Sequence, residues 1–110
     1  MSKNRQNFKT IDFNIDISKL PTPIYIVDER LLEKNLKILK SVMDSTNCKI
    51  LLAQKAFSMF YLYPLIGNYL KGTAASSLFE ARLGFEKMKG REVHIYSPAY
   101  KEEEFDEILR

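Results

Sequence analysis

The chain has 110 residues, 45% hydrophobic and 28% charged, with a formal charge of +3 and a sequence pI near 9.0. That is room for one small domain, and a composition that can bury a core, which argues against wholesale disorder. Its Lys and Arg are scattered among acids rather than gathered on one run, so a nucleic-acid footprint is not expected. The single cysteine, Cys48, allows no internal disulfide and fits a reducing compartment. No apolar stretch follows the basic start, and none approaches a membrane span, so the expectation is a cytoplasmic protein with no membrane partner.

Residues 1–20 are polar, with Ile11, Phe13, Ile15 and Ile17 alternating as in a strand with one wet face. Pro21-Thr22-Pro23 then holds the chain extended. Ile24-Tyr25-Ile26-Val27 reads as a short strand and Asp28 as a helix N-cap. Leu32, Leu36, Leu39 and Met43 recur at helical spacing, which predicts an amphipathic helix over about 29–44.

Lys49-Ile50-Leu51-Leu52-Ala53-Gln54 is apolar and short, the pattern of a strand buried on both faces in a parallel sheet. A helix is expected over 58–70, with Pro64 in its first turn or kinking it and Gly72 ending it. Thr73-Ala74-Ala75-Ser76 is a weak strand of small residues. Ser77 and Glu80 have capping-box spacing, each side chain positioned to satisfy a free N–H of the first turn, and the helix runs to about Met88, ended by Gly90. Glu92-Val93-His94-Ile95-Tyr96 is a strand broken by Pro98. A last helix spans 101–109, its first-turn glutamates matched to the helix dipole.

The expected fold class is therefore α/β, with strands and helices alternating as in a parallel sheet with crossover helices. An open doubly wound sheet and a barrel both fit that alternation. A barrel needs about 250 residues, and a stop at Arg110 directly after a helix suggests a piece of a larger fold.

Chemistry in parallel α/β folds stands at the carboxyl ends of strands. Three places qualify: Gln54 to Phe57, Ala74 to Ser77, and Tyr96 to Lys101. Lys55 directly follows a buried strand and precedes apolar Ala56 and Phe57. An amine in an apolar place has its charged form disfavoured, and a neutral amine attacks aldehydes. The plainer alternative is a lysine that reaches out to water along its aliphatic stem. The Ala74-Ala75-Ser76-Ser77 segment is small enough to leave room for a ligand, or it packs closely with Ser77 as a cap. Asp28 and Glu80 sit where helix caps belong. His94, in mid-strand, suits structure better than catalysis. One Cys and one His give no metal site, and the glycines are too isolated for a phosphate loop.

Thr22 to Asp28 and Lys49 to Phe57 together resemble the opening of fold-type III pyridoxal-phosphate enzymes, which include alanine racemase and the ornithine and diaminopimelate decarboxylases. Gly72 to Gly84 and Val93 to Lys101 resemble the carboxynorspermidine (carboxyspermidine) decarboxylases within that group. Ornithine and diaminopimelate decarboxylases carry Asp-x-x-Ser-x-x-Glu at the second strand end. Ser77 and Glu80 match that pattern here but Ala74 stands at the Asp position, which favours the carboxynorspermidine branch.

The resemblance implies the N-terminal part of a (β/α)8 barrel of the alanine racemase type, whose C-terminal β domain is absent from this chain. Residues 21–110 would be its first strand–helix units, about three of eight, and 1–20 an extension that contributes a strand to the β domain. It also implies pyridoxal 5'-phosphate as cofactor, linked to Lys55 as the catalytic residue, with Ala53 and Ser76 beside it as cofactor-binding residues. The implied reaction is loss of CO2 from carboxynorspermidine or carboxyspermidine, giving norspermidine or spermidine, in a homodimer with active sites at the interface. Other site groups of the family lie downstream, Cys48 cannot be equated with its catalytic cysteine, and the isolated chain is expected to be inactive. Two further readings are a non-catalytic pyridoxal-phosphate-binding barrel that manages cofactor supply, which a downstream β domain would exclude, and a non-functional truncated remnant.

Overall fold

In the computed structural model, residues 15–110 are described. Three strands, β1 (Leu51–Ala53), β2 (Gly72–Ala75) and β3 (Glu92–Ile95), form one parallel sheet in the order β1-β2-β3. Leu52 pairs with Thr73 and Thr73 with Val93; Ala53 pairs with Ala74 and Ala74 with His94. Strands that neighbour in sequence neighbour in space, as short right-handed crossovers favour.

Helix α1 (Glu29–Thr46) is capped by Asp28, whose carboxylate accepts from the backbone N–H of Arg30 at 2.9 Å and of Leu31 at 3.3 Å. The helix stops at Asn47, which takes a left-handed conformation with φ 55°, one that asparagine tolerates. The expected helix over 58–70 is shorter: a 3-10 turn at Phe60–Leu62 leads into α2 (Tyr63–Gly67), with Pro64 in its first turn. Gly72 does not end that helix but opens β2, since the chain has already turned over residues 68–71.

Helix α3 (Leu78–Lys87) begins at Ser77, whose hydroxyl accepts from the Glu80 N–H at 3.2 Å. The reciprocal half of the expected capping box is displaced by one residue: the Glu80 carboxylate accepts from the N–H of Ser76, at 2.6 Å, and not from that of Ser77. A 3-10 turn at Glu102–Glu104 continues into α4 (Phe105–Ile108), which Arg82 of α3 ties down through two bonds of 2.6 Å to the Glu107 carboxylate.

One strand expectation does not hold, and a second lies mostly outside the described residues. Ile24 to Val27 finds no ladder among the described residues; the segment is irregular, with Tyr25 95% exposed, and Thr22–Pro23 is cis. A β-rich run makes a strand only where a neighbour takes its N–H and C=O groups. Of the alternating run 11–17, residues 11–14 lie outside the described residues, and Ile17 opens a 3-10 turn through Lys19, capped by Asp16.

The core lies between the sheet and one layer of helices. Leu36 and Met43 of α1 meet Leu62, Tyr63, Ile66, Leu70 and Met88, with Leu52 of β1 packed against them. Gly84 lets α3 sit directly on β2: a Cβ there would stand 2.2 Å from Thr73 Oγ1. Ile38, Leu39 and Val42 remain exposed, so only part of the apolar stripe of α1 is covered. Replacing Leu36, 3% exposed, with alanine should cost about 2–4 kcal/mol through lost burial and the cavity left behind. A urea titration checks this, with the midpoint falling at unchanged slope.

Candidate active site at the carboxyl ends of the strands

Side chains alternate across a strand, and the contacts here settle which face is which. Leu52 packs against the core and Gln54 bonds to α3; Thr73 lies against Gly84 of α3; Val93 and Ile95 line a groove with Leu78 and Ala81. These residues face the helices. Ala53, Ala74 and His94 therefore stand in one row on the opposite face, which carries no layer among the described residues. That explains why Leu51 and Ala53 are only half-buried, where a strand covered on both sides was expected.

The ladder continues one residue beyond the strands: Gln54 N–H donates to Ala74 O at 3.2 Å, and Tyr96 N–H to Ala75 O at 3.0 Å. Lys55, Ser76 and Tyr96 follow just after β1, β2 and β3, at the carboxyl edge of the sheet. All three are exposed. The sheet thus brings the two expected site residues Lys55 and Ser76 to one edge, with Ala53 one row below. Tyr96, which opens the third of the strand ends expected from sequence, belongs to the same edge, although no role was assigned to it there.

Lys55 rides on a tight turn closed by Ala56 N–H to Ala53 O at 3.0 Å and Phe57 N–H to Ala53 O at 3.3 Å. The apolar enclosure anticipated for it is not supplied by the described residues: Lys55 and Ala56 are exposed and Phe57 half-buried. Its geometry matches the plainer expectation of a lysine reaching water. Beneath the turn lies a buried polar pair. Tyr63 OH, on a side chain 0% exposed, donates to Gln54 Oε1 at 3.1 Å, and Gln54 Nε2 donates to Glu80 O at 3.0 Å. Burial, then the negative charge of Glu80, push the Tyr63 phenol upward, so it stays a donor.

His94 is exposed, not a core histidine, and its Nε2 lies 2.9 Å from Glu92 Oε2. Glu92 also accepts from Lys49 Nζ at 2.6 Å, linking the start of β3 to the segment before β1. These bonds, Lys49 first and His94 next, hold the Glu92 carboxyl below the ordinary glutamate range. A carboxylate depressed in the folded state adds stability that is present above its unfolded value and lost as pH falls through its folded one. Urea midpoints of wild type and Glu92→Gln should therefore differ at about pH 7 and converge near pH 3. Equal gaps at both pH values would contradict this assignment.

Among the described residues no group of three or more His, Cys, Asp or Glu side chains could hold a metal, and no helix is long and apolar enough to cross a membrane.

No family model matches the chain. Individual proteins do. It is 44% identical over 90 residues to the carboxynorspermidine/carboxyspermidine decarboxylase of Campylobacter jejuni, covering 82% of this chain and 23% of that protein. The enzyme of the same name from Herminiimonas arsenicoxydans is 38% identical over 90 residues, and the carboxyaminopropylagmatine decarboxylase of Synechocystis sp. is 38% identical over 96. The crystal structure of the Campylobacter jejuni carboxynorspermidine decarboxylase, in complex with norspermidine, superposes with a TM-score of 0.77 over 81% of this chain and 24% of that one. The chain spans about a quarter of the length of the curated relatives it matches. In sequence and in fold, it is a homologue of that quarter of the carboxynorspermidine/carboxyspermidine decarboxylases.

Proposed function

We propose that this chain is the lysine-bearing part of a pyridoxal-phosphate-dependent decarboxylase that converts carboxynorspermidine or carboxyspermidine to norspermidine or spermidine. The observation that carries this reading is the placement of Lys55. It stands on an exposed, hydrogen-bonded turn directly after β1, in a chain 44% identical to a carboxynorspermidine/carboxyspermidine decarboxylase.

The sheet supports a (β/α)8 barrel as the complete fold. Among the described residues its strands run in sequence order with helices on one face, as successive units of such a barrel do, and the carboxynorspermidine decarboxylase structure matches over 81% of the chain. In a barrel the bare face becomes the interior and its carboxyl edge the mouth where ligands bind. Residues 21–110 would be the first strand–helix units. A homodimer is the expected assembly of the longer protein.

The residues present fit the cofactor. Lys55 offers a primary amine, Ala53 and Ala74 leave room on the same face, and Ser76 offers an exposed hydroxyl on the same edge. Bound pyridoxal phosphate supplies an electron sink for the bond that releases CO2. Lys55 would hold it covalently through Nζ, and the exposed Ser76 hydroxyl would orient it by a hydrogen bond. The small alanines would admit a flat ring against the sheet. None of the isolated glycines makes a phosphate loop, so we place the phosphate contact, with the remaining catalytic groups, in other parts of the longer protein. On that account the 110-residue chain binds the cofactor but does not turn over.

Equilibrium titration with pyridoxal phosphate tests the reading. Saturable uptake of one equivalent supports it, and uptake that climbs without saturating, as for scattered surface lysines, contradicts it.

A further inference from the structure

Lys55 is flanked by two points of attachment that meet at one phenol. The residue before it, Gln54, accepts from Tyr63 OH at 3.1 Å; the residue two after it, Phe57, presents its carbonyl 3.4 Å from the same oxygen. The other end of the Gln54 amide donates to Glu80 O. Glu80 in turn holds the N–H of Ser76 through its carboxylate. Hydrogen bonds, linked through the covalent frame of Glu80, therefore join the turn that carries Lys55 to the turn that carries Ser76, on the helix face of the sheet.

The choice of residues is informative. Gln54 is 1% exposed and Tyr63 0%. Burying an amide is costly unless its groups are paired, and an apolar side chain of like size would pack there without that risk. Both ends of this amide are satisfied, and a satisfied buried polar network fixes one arrangement where apolar packing tolerates several. Here the arrangement fixed is the backbone on either side of Lys55.

We propose that Gln54 and Tyr63 are positioning residues for Lys55, holding its turn in fixed register with the neighbouring strand end. This rests on the reading of Lys55 as the cofactor-linking lysine, and the two fail separately in the following experiment.

Amide hydrogen exchange at Ala56 and Phe57 and reductive labelling of lysines by pyridoxal phosphate with borohydride are measured on wild type, Tyr63→Phe, and the double variant Gln54→Met/Tyr63→Phe. Loss of the phenol leaves Gln54 Oε1 buried without its donor. Exchange at Ala56 and Phe57 should rise about tenfold, the equivalent of ~1.4 kcal/mol, and the share of label on Lys55 should fall. The double variant leaves no orphaned amide, so its melting temperature should recover towards wild type while exchange stays fast and the label share low. It also keeps the test alive if Tyr63→Phe alone fails to fold. Recovery of slow exchange along with thermal stability would reduce the pair to core packing and overturn the proposal. If wild type shows no preference for Lys55, the cofactor reading falls, and the exchange rates still decide whether the pair holds the turn.

Discussion

Gly72→Ala should lower the melting temperature far more than alanine at Gly67 or Gly90. A Cβ built on Gly72 would stand 1.9 Å from Glu92 O and within 2.9 Å of Glu92 C and N, all backbone atoms of the paired strand. No rotamer change relieves that clash; β2 and β3 must separate and lose their ladder. Overpacking costs about 1–3 kcal/mol where side chains can shift, and here they cannot, so about 3 kcal/mol or more is expected, a large share of a small domain's stability. Gly67→Ala is the control: its nearest obstacle, at 2.9 Å, is the flexible Met88 side chain. Gly90→Ala meets nothing within 4 Å but would hold a side chain at φ +72°, a cost of about 1 kcal/mol. Circular dichroism melts should rank Gly72→Ala far below both. A Gly72→Ala protein melting within a few degrees of wild type would show that the strand spacing is not set at this position.

Lys55→Ala should abolish covalent cofactor attachment and, in the complete enzyme, turnover. The exposed turn makes few demands on this side chain, since its closing hydrogen bonds are backbone to backbone. The melting temperature should therefore stay near that of wild type. That separation of chemistry from stability makes the variant informative: loss of attachment without loss of fold places the function in the amine. Lys55→Arg sharpens it, because a guanidinium keeps the charge but is not an amine that condenses with an aldehyde. Decarboxylation above background in full-length Lys55→Ala would remove the lysine from the mechanism.

Much of the fold was legible because it was written locally. Asp28 as a cap and the stripe from Leu32 to Met43 define α1 within a turn of its observed end. Ser77 and Glu80 locate the start of α3. The parallel sheet follows from the alternation of short strands with helices, and with it the idea that Lys55 and Ser76 stand at strand ends. What was not legible depends on partners distant in sequence. Ile24 to Val27 has strand composition but, among the described residues, no neighbouring strand to pair with. Gly72 reads locally as a helix stop, whereas its true constraint is the backbone of Glu92, 20 positions on. Gln54 reads as the polar end of an apolar strand; only Tyr63 and Glu80, brought beneath the sheet by α2 and α3, reveal a buried amide with both ends satisfied.

Incubating the chain with pyridoxal phosphate, reducing with borohydride and mapping the modified lysine by peptide mass spectrometry tests the central claim most directly. Label concentrated on Lys55 is the predicted result, because the β1 turn presents that amine at the edge it shares with Ser76. Label spread evenly over the lysines, or absent from Lys55, would contradict the assignment of Lys55 as the residue that holds the cofactor.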